Sequence, residues 1–167
     1  MKKVILILAI VMTSVSCGNA QKKEFSKDAL KGKLTDTESK EVTFKEILKK
    51  HKGKTIVIEF WASWCSDCVK AMPKVKEMQA SNPNVVYIFI SLDKTFDKWK
   101  AGIEKHEFAG EHYWVNDEKG MQGTFGKAID LDWIPRYMII NKKGQIELYR
   151  AIETDFEKIN ATLKTLE

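Results

Sequence analysis

Hydrophobic positions along this chain follow two rhythms. "TIVIEFW" (Thr55 to Trp61) and "NVVYIFIS" (Asn84 to Ser91) are nearly unbroken runs of β-branched and aromatic residues, the signature of central strands buried on both faces. From Cys65 to about Ala80, Val69, Met72, Val75 and Met78 recur three apart and mark one face of a helix, in which Pro73 predicts a kink. "GKLTDTESKEVTF" reads as two short strands around a polar turn, and "FKEILKKHKGK" as a short helix stopped at Gly53. "TFDKWKAGIEKHE" is a further helix, "HYWVN" a short strand, and "EKGMQGTFG" a Gly-broken, partly helical stretch. "PRYMIINKKGQIELYRA" has the spacing of a hairpin about a Lys-Gly turn. "TDFEKINATLKTL" closes the chain as a helix capped by Thr154 or Asp155, with Phe156, Ile159, Leu163 and Leu166 on one side. Alternating strands and helices ending in a hairpin and a helix predict an α/β fold, its mixed central sheet covered by helices on both faces.

The N-terminus is patterned differently. "MKKVILILAIVMTSVSC" has two lysines, an apolar run from Val4 to about Met12, and small residues up to Cys17. A spanning helix needs ~20 apolar residues, so residues 1–16 read as a signal peptide. The flanking "SVS" and "GNAQKKE" resemble the bacterial lipoprotein signal, in which the cysteine becomes the lipidated first residue, although Ser14 stands where a leucine is often found. Ordinary cleavage near Ala20 is the alternative. Residues 17–31 are polar and lysine-rich, as suits a tether, and the domain is expected over 32–167. The expected location is the periplasmic side of the cell envelope, lipid-anchored through Cys17 or else secreted and soluble.

Composition narrows the class. With 167 residues, 44% hydrophobic, and only three cysteines, the chain suits one globular domain and excludes a disulfide-dense miniprotein. Loss of residues 1–16 removes only Lys2 and Lys3, so the formal charge falls from +5 to +3 over 151 residues. That excess, with no dense basic patch interleaved with aromatics, does not indicate nucleic acid.

The chemistry concentrates in "IEFWASWCSDCVKAMP" (Ile58 to Pro73). Zinc needs four ligands, usually in two close pairs, and Cys17, His51, His106 and His112 supply no second pair, so no metal is expected. A purely structural disulfide between residues three apart closes too small a ring to remove much unfolded-state entropy. A redox dithiol accounts for the surroundings as well. A strand ending at Trp61 and a helix starting at the cysteines put Cys65 at a helix N-terminus, where free N–H groups and the helix dipole favour a thiolate. Cys65 is then the attacking sulfur and Cys68, one turn further in, the resolving one.

These residues carry a family resemblance. "FWASWCSDCVKAMP" resembles the active-site segment of the thioredoxin superfamily, and its setting resembles the TlpA/ResA-like branch of membrane-tethered thiol-disulfide oxidoreductases. The match runs from about Gly32 to Leu166, ending in "WIPRYMIINKKGQI". The 67 residues from Cys68 to Pro135 exceed the plain thioredoxin interval, and the surplus corresponds to the helix around Trp99 plus "HYWVN", the central insertion typical of that branch. The resemblance implies a thioredoxin-like fold with an N-terminal β-hairpin. It implies a cis Pro135 beside the disulfide, with Ile134 offering its backbone to an extended substrate. It also implies an enzyme acting on disulfide-containing proteins without a bound cofactor, as a monomer, fed by a membrane thiol donor related to those of cytochrome c maturation. Apocytochrome c is one candidate substrate among several.

Glu59 precedes Cys65 by six residues, as the buried acid of thioredoxins does. If inward, its carboxyl has a raised pKa and can take the proton of Cys68 and return it. Strand alternation between Ile58 and Phe60 allows a solvent-facing residue instead, and only the resemblance favours the interior. Ala71 occupies the position where the ResA group tends to carry a Glu, so a substrate preference tied to that acid does not carry over from the resemblance. Trp61 reads as core and Trp64 as part of the substrate surface, while Trp99, Trp114 and Trp133 are core or groove residues. None of the histidines has a catalytic partner in the sequence, and the "NAT" at Asn160 falls inside a helix and is treated as chance. The rival readings are a net oxidase or isomerase and a thioredoxin-fold metal carrier or binding module; copper carriers of the related fold typically use CxxxC with a distant histidine, neither of which is evident here.

Ser66 and Asp67 between the cysteines are the tuning positions. A carboxylate near Cys65 opposes thiolate formation and makes the couple more reducing, unless Asp67 is solvated and screened or caps the helix. On the electrostatic reading, Asp67→Ala raises the reduction potential measured against a glutathione buffer; no rise removes that reading.

Overall fold

The computed structural model describes residues 22–167. The signal peptide expected over residues 1–16 and the lipidation expected at Cys17 lie outside the described residues.

Strand β3 (Ile56–Trp61) is the centre of the molecule. All six of its residues are buried, because it is paired on both edges and covered on both faces. It runs parallel to β4 (Val86–Ser91) and antiparallel to β6 (Arg136–Ile140). Outside β6 lies β7 (Ile146–Ala151), its hairpin partner, and outside β4 lies β5 (Glu111–Trp114), parallel to it. The leading hairpin of β1 (Lys33–Asp36) and β2 (Glu41–Thr43) joins β5 antiparallel, with Thr35 opposite Trp114. The order β2-β1-β5-β4-β3-β6-β7 is the mixed sheet expected from the sequence, here of seven strands.

Helix α2 (Phe44–Lys50) begins with a reciprocal capping box between Thr43 and Glu46, and the chain leaves it through Gly53, whose φ of 83° favours a residue without Cβ. Helix α3 (Ser66–Ser81) runs unbroken through Pro73 and buries Cys68, Ala71, Met72, Val75 and Met78. Helix α4 (Phe96–His106) packs close to the turn that follows β3. A Cβ at Gly102 would lie 2.9 Å from the Ser63 Cβ and 3.2 Å from the Trp61 ring, so the glycine permits that approach. After the single turn Gly120–Gln122 and α5 (Thr124–Ala128), the chain enters β6, and α6 (Phe156–Lys164) closes the fold on Phe156, Ile159 and Leu163. Asp155 precedes α6 but its carboxylate accepts from Ile152 N–H rather than from the helix.

The expected tether differs from what is seen. From residue 22 the chain lies on the domain: Phe25 packs edge-on against Phe44 at 4.9 Å, and Ile146 N–H donates to the Lys23 carbonyl. Residues Lys27–Lys31 form α1, capped by Ser26, with Ala29 fully buried. Three apolar residues among many polar ones, Phe25, Ala29 and Leu30, pack against the core and dock the segment. Among the described residues, no helix is long and apolar enough to cross a membrane.

Candidate active site

Strand β3 delivers the chain to the cysteines. After Trp61 the backbone turns, Cys65 N–H donating to the Ala62 carbonyl, and Cys65 becomes the N-cap of α3 in extended conformation. Its Sγ accepts the Cys68 N–H at 3.1 Å, so the sulfur takes the place a hydroxyl or carboxylate usually holds at a helix start. The alternative in which Asp67 caps the helix is therefore corrected: Cys65 is the cap, and Asp67 stands in the first turn, 3.4 Å from Lys70 Nζ. Ser66 is exposed at the start of the same turn.

Cys65 and Cys68 form a disulfide with Cα atoms 5.3 Å apart. Their exposures differ in a way that matters: Cys68 is 0% exposed and Cys65 6%, so Cys65 alone presents any surface to an incoming sulfur. The Ile134–Pro135 peptide bond is cis and brings the Ile134 carbonyl oxygen to 3.6 Å from Cys65 Sγ. The turn carrying it is strapped by Arg136, whose guanidinium donates twice to Asp132 Oδ1, at 3.1 and 2.7 Å. Trp64 and Trp133, 57% and 52% exposed, rim a groove of about 240 Å³ that contains Cys65 and Ile134 and is completed by Met121. Large aromatics are rarely left this exposed without a partner to cover them.

Two buried carboxyls support the site from the sheet. Asp93, just past β4, accepts from Ser63 N–H at 3.0 Å, from the Ser63 hydroxyl at 2.7 Å and from the Ser91 hydroxyl at 2.8 Å. Its backbone carbonyl accepts the Trp114 indole N–H at 2.7 Å. Asp93 thus anchors the turn two residues before Cys65. Glu59, 2% exposed, faces the interior. Its Oε1 accepts from the Tyr137 hydroxyl at 3.2 Å, and its Oε2 is buried with no hydrogen-bond partner among the described residues. Burial pushes its pKa from 4.5 up to about 8, against the lowering effect of the Tyr137 hydrogen bond. A carboxyl that exchanges its proton near neutrality, in a dry strand leading to a dithiol, is equipped for proton transfer. Among the described residues, no group of three or more His, Cys, Asp or Glu side chains is arranged to hold a metal ion.

The family model described as thioredoxin-like matches residues 53–146, which contain both cysteines, Glu59 and the cis proline. The chain belongs to the thioredoxin-like family. Similar proteins include the thiol-disulfide oxidoreductase ResA of Bacillus thuringiensis subsp. konkukian (strain 97-27), 26% identical over 160 residues that cover 87% of each chain. The ResA of Bacillus anthracis is 27% identical over 150 residues, covering 87% of this chain and 80% of the relative. Among solved structures, a thiol-disulfide oxidoreductase from Bacteroides fragilis superposes with a TM-score of 0.66 at 22% identity, covering 81% of this chain and 96% of that one. A secreted Mycobacterium tuberculosis disulfide oxidoreductase gives 0.62 at 15% identity, covering 84% and 100%. At these identities the structural likeness speaks for the thioredoxin-like fold alone.

Within this thioredoxin-like domain the structure gathers Cys65, Cys68, Trp64, Ile134 and Pro135 at one end of the sheet, with Glu59 in the strand that leads there. Trp133, left between core and groove by its sequence, is a groove residue, while Trp99 and Trp114 are buried and stack on each other. Asp93, Tyr137 and Met121 carry no sequence signal that marks them. The serines at 63 and 91 flanking Asp93 in space were the one available hint, and they are separated from each other by a whole helix.

Two outcomes are expected. Between about pH 4.5, where the unfolded carboxyl ionises, and about pH 8, where the folded one does, the folded state holds one more proton, so Glu59 makes stability fall as pH rises. Glu59→Gln should therefore gain on wild type from pH 5 to pH 8, by up to ~1.4 kcal/mol per pH unit, in urea unfolding with the disulfide intact; a pH-independent difference would contradict the buried-acid assignment. Asp93→Ala strands three donors and should lose about 2–4 kcal/mol, read in the same assay.

Proposed function

We propose that this thioredoxin-like chain is an extracytoplasmic thiol-disulfide oxidoreductase that reduces or exchanges disulfides of protein substrates. The observation that carries the reading is the Cys65–Cys68 disulfide at the start of α3, its outer sulfur 3.6 Å from the carbonyl that precedes a cis proline. Relatives named thiol-disulfide oxidoreductase across 87% of the chain support it.

In the reducing direction the Cys65 thiolate attacks one sulfur of a substrate disulfide, the substrate S–S bond breaks, and the second substrate sulfur leaves as a thiolate. Cys68 gives its proton to Glu59 and attacks the Cys65 sulfur of the mixed disulfide. The Cys65–Cys68 bond forms, the bond to substrate breaks, and two electrons have passed to the substrate. Helix α3 assists by directing its N-terminal N–H groups at Cys65. Trp64, Ile134 and Pro135 hold the substrate chain, Trp64 as an apolar wall and Ile134 through its backbone. Ser66 and Asp67 tune the couple, with Lys70 moderating the charge of Asp67.

The cycle returns to the dithiol only with a supply of electrons, for which a membrane thiol donor is the fitting class in an oxidising compartment. The residue pattern up to Cys17 supports export and lipid attachment. Residues 17–31 would then be the segment between the anchor and the sheet, folded onto the domain from residue 22 onward.

The test is to express Cys68→Ala and Cys65→Ala chains in the native compartment and separate mixed disulfides on non-reducing gels. Cys68→Ala should accumulate substrate proteins attached to Cys65, and Cys65→Ala should not. The reverse pattern would overturn the order of attack, and no adduct on either would overturn the activity.

A further inference from the structure

We propose that Tyr137 is a positioning residue for the resolving step: its hydroxyl holds one oxygen of the buried Glu59 carboxyl and leaves the other as the proton-exchanging one. The inference rests on the reading of Glu59 as the proton acceptor of Cys68.

Glu59 and Tyr137 stand directly opposite each other where β3 pairs with β6. Tyr137 is fully buried, and its hydroxyl donates to Glu59 Oε1 at 3.2 Å. A buried phenol and a buried carboxyl each need a partner, and here each supplies the other's. The two carboxyl oxygens are thereby made unequal: Oε1 is occupied, and Oε2 is buried without a partner among the described residues. Oε2 is the atom left to accept a proton. The donor comes from β6, two residues beyond the cis proline, so the strand that presents Ile134 to the substrate also orients the base.

The surroundings keep Tyr137 a donor. Burial, then the charges of Glu59 and Glu153, hold its hydroxyl pKa above the ordinary value, so it stays protonated wherever the dithiol works. Its ring packs on Phe156 of α6 at 5.4 Å, and Lys74 of α3 sits 5.7 Å from the centre of that phenyl ring. Phe89 of β4, opposite Glu59 on the other edge of β3, adds no charge. Glu59 therefore feels burial and Tyr137, with the hydrogen bond favouring the carboxylate.

In the resolving step Cys68 S–H passes its proton to Glu59 Oε2, the sulfur displaces the substrate from Cys65, and the carboxyl later releases the proton to the departing thiolate or to water. Without the Tyr137 hydroxyl the carboxylate loses its donor and binds a proton more tightly.

The test compares wild type, Tyr137→Phe, Glu59→Gln and the double variant as full chains. Carbon-13 NMR of labelled glutamate follows the Glu59 titration. Stopped-flow with a small aromatic disulfide whose released thiolate is coloured separates attack by Cys65 from resolution by Cys68 across pH. Tyr137→Phe should move both the Glu59 titration and the midpoint of the resolution rate upward by about one pH unit, the tenfold in proton affinity that one hydrogen bond to a buried charge carries. In the Glu59→Gln background it should shift nothing. An unmoved NMR titration overturns the role of Tyr137. A moved titration with a resolution profile that Glu59→Gln leaves unchanged overturns Glu59 as the base, and the proposal with it. An equal kinetic shift in the Glu59→Gln background overturns it as well, since Tyr137 would then act through packing.

Discussion

A strand paired on both edges and buried on both faces must hold itself at one depth and one register, and β3 imposes that constraint on everything chemical in this molecule. Its middle carries Glu59, its exit leads to Cys65, its β4 edge leads to Asp93, and its β6 edge brings Pro135 and Tyr137. The site is therefore referred to one rigid element, although its residues come from four places in the chain. Groups that must meet to within a few tenths of an ångström are best positioned this way, because loops alone fluctuate by more.

The two cysteines are chemically alike and differ only in where the fold puts them. Cys65 caps a helix and shares a groove with two exposed tryptophans, whereas Cys68 is sealed beneath the same turn. The helix N-terminus favours charge on the first sulfur, and burial disfavours it on the second. Glu59 belongs to the same dry interior. Burial raises its pKa to about 8, so this carboxyl exchanges its proton near neutrality.

Burying an acid in a central strand is a local conflict in an otherwise consistent sequence, and such conflicts gather at functional sites. Here the conflict is partly offset by the Tyr137 hydrogen bond. Asp93 meets its own burial differently, with three donors converging on its carboxylate. One acid is fully satisfied and holds the turn before Cys65; the other is half satisfied, and burial raises its pKa to about 8. The difference in donor number matters because each donor to a carboxylate favours its charged form.

Apolar periodicity made the strands, the helices and the mixed sheet legible, because burial on one face or two leaves a pattern in every few residues. The CxxC pair was legible for a similar reason: its chemistry requires two residues one helical turn apart, and that spacing is local. Glu59 was half legible, since strand alternation pointed both ways and only pairing on both edges, with cover on both faces, places it inside. Asp93 with Ser63, 30 residues apart, and Tyr137 with Glu59, 78 apart, carry no local signature. Nor does the docking of Phe25 and Ala29, which turned part of an expected tether into part of the domain. Neighbours along the chain were enough to read the main strands and helices and the CxxC pair, though not the short α1. Which sulfur is reachable and which carboxyl oxygen lacks a partner came from the folded molecule, because burial and hydrogen bonding are settled by residues that meet across the sheet.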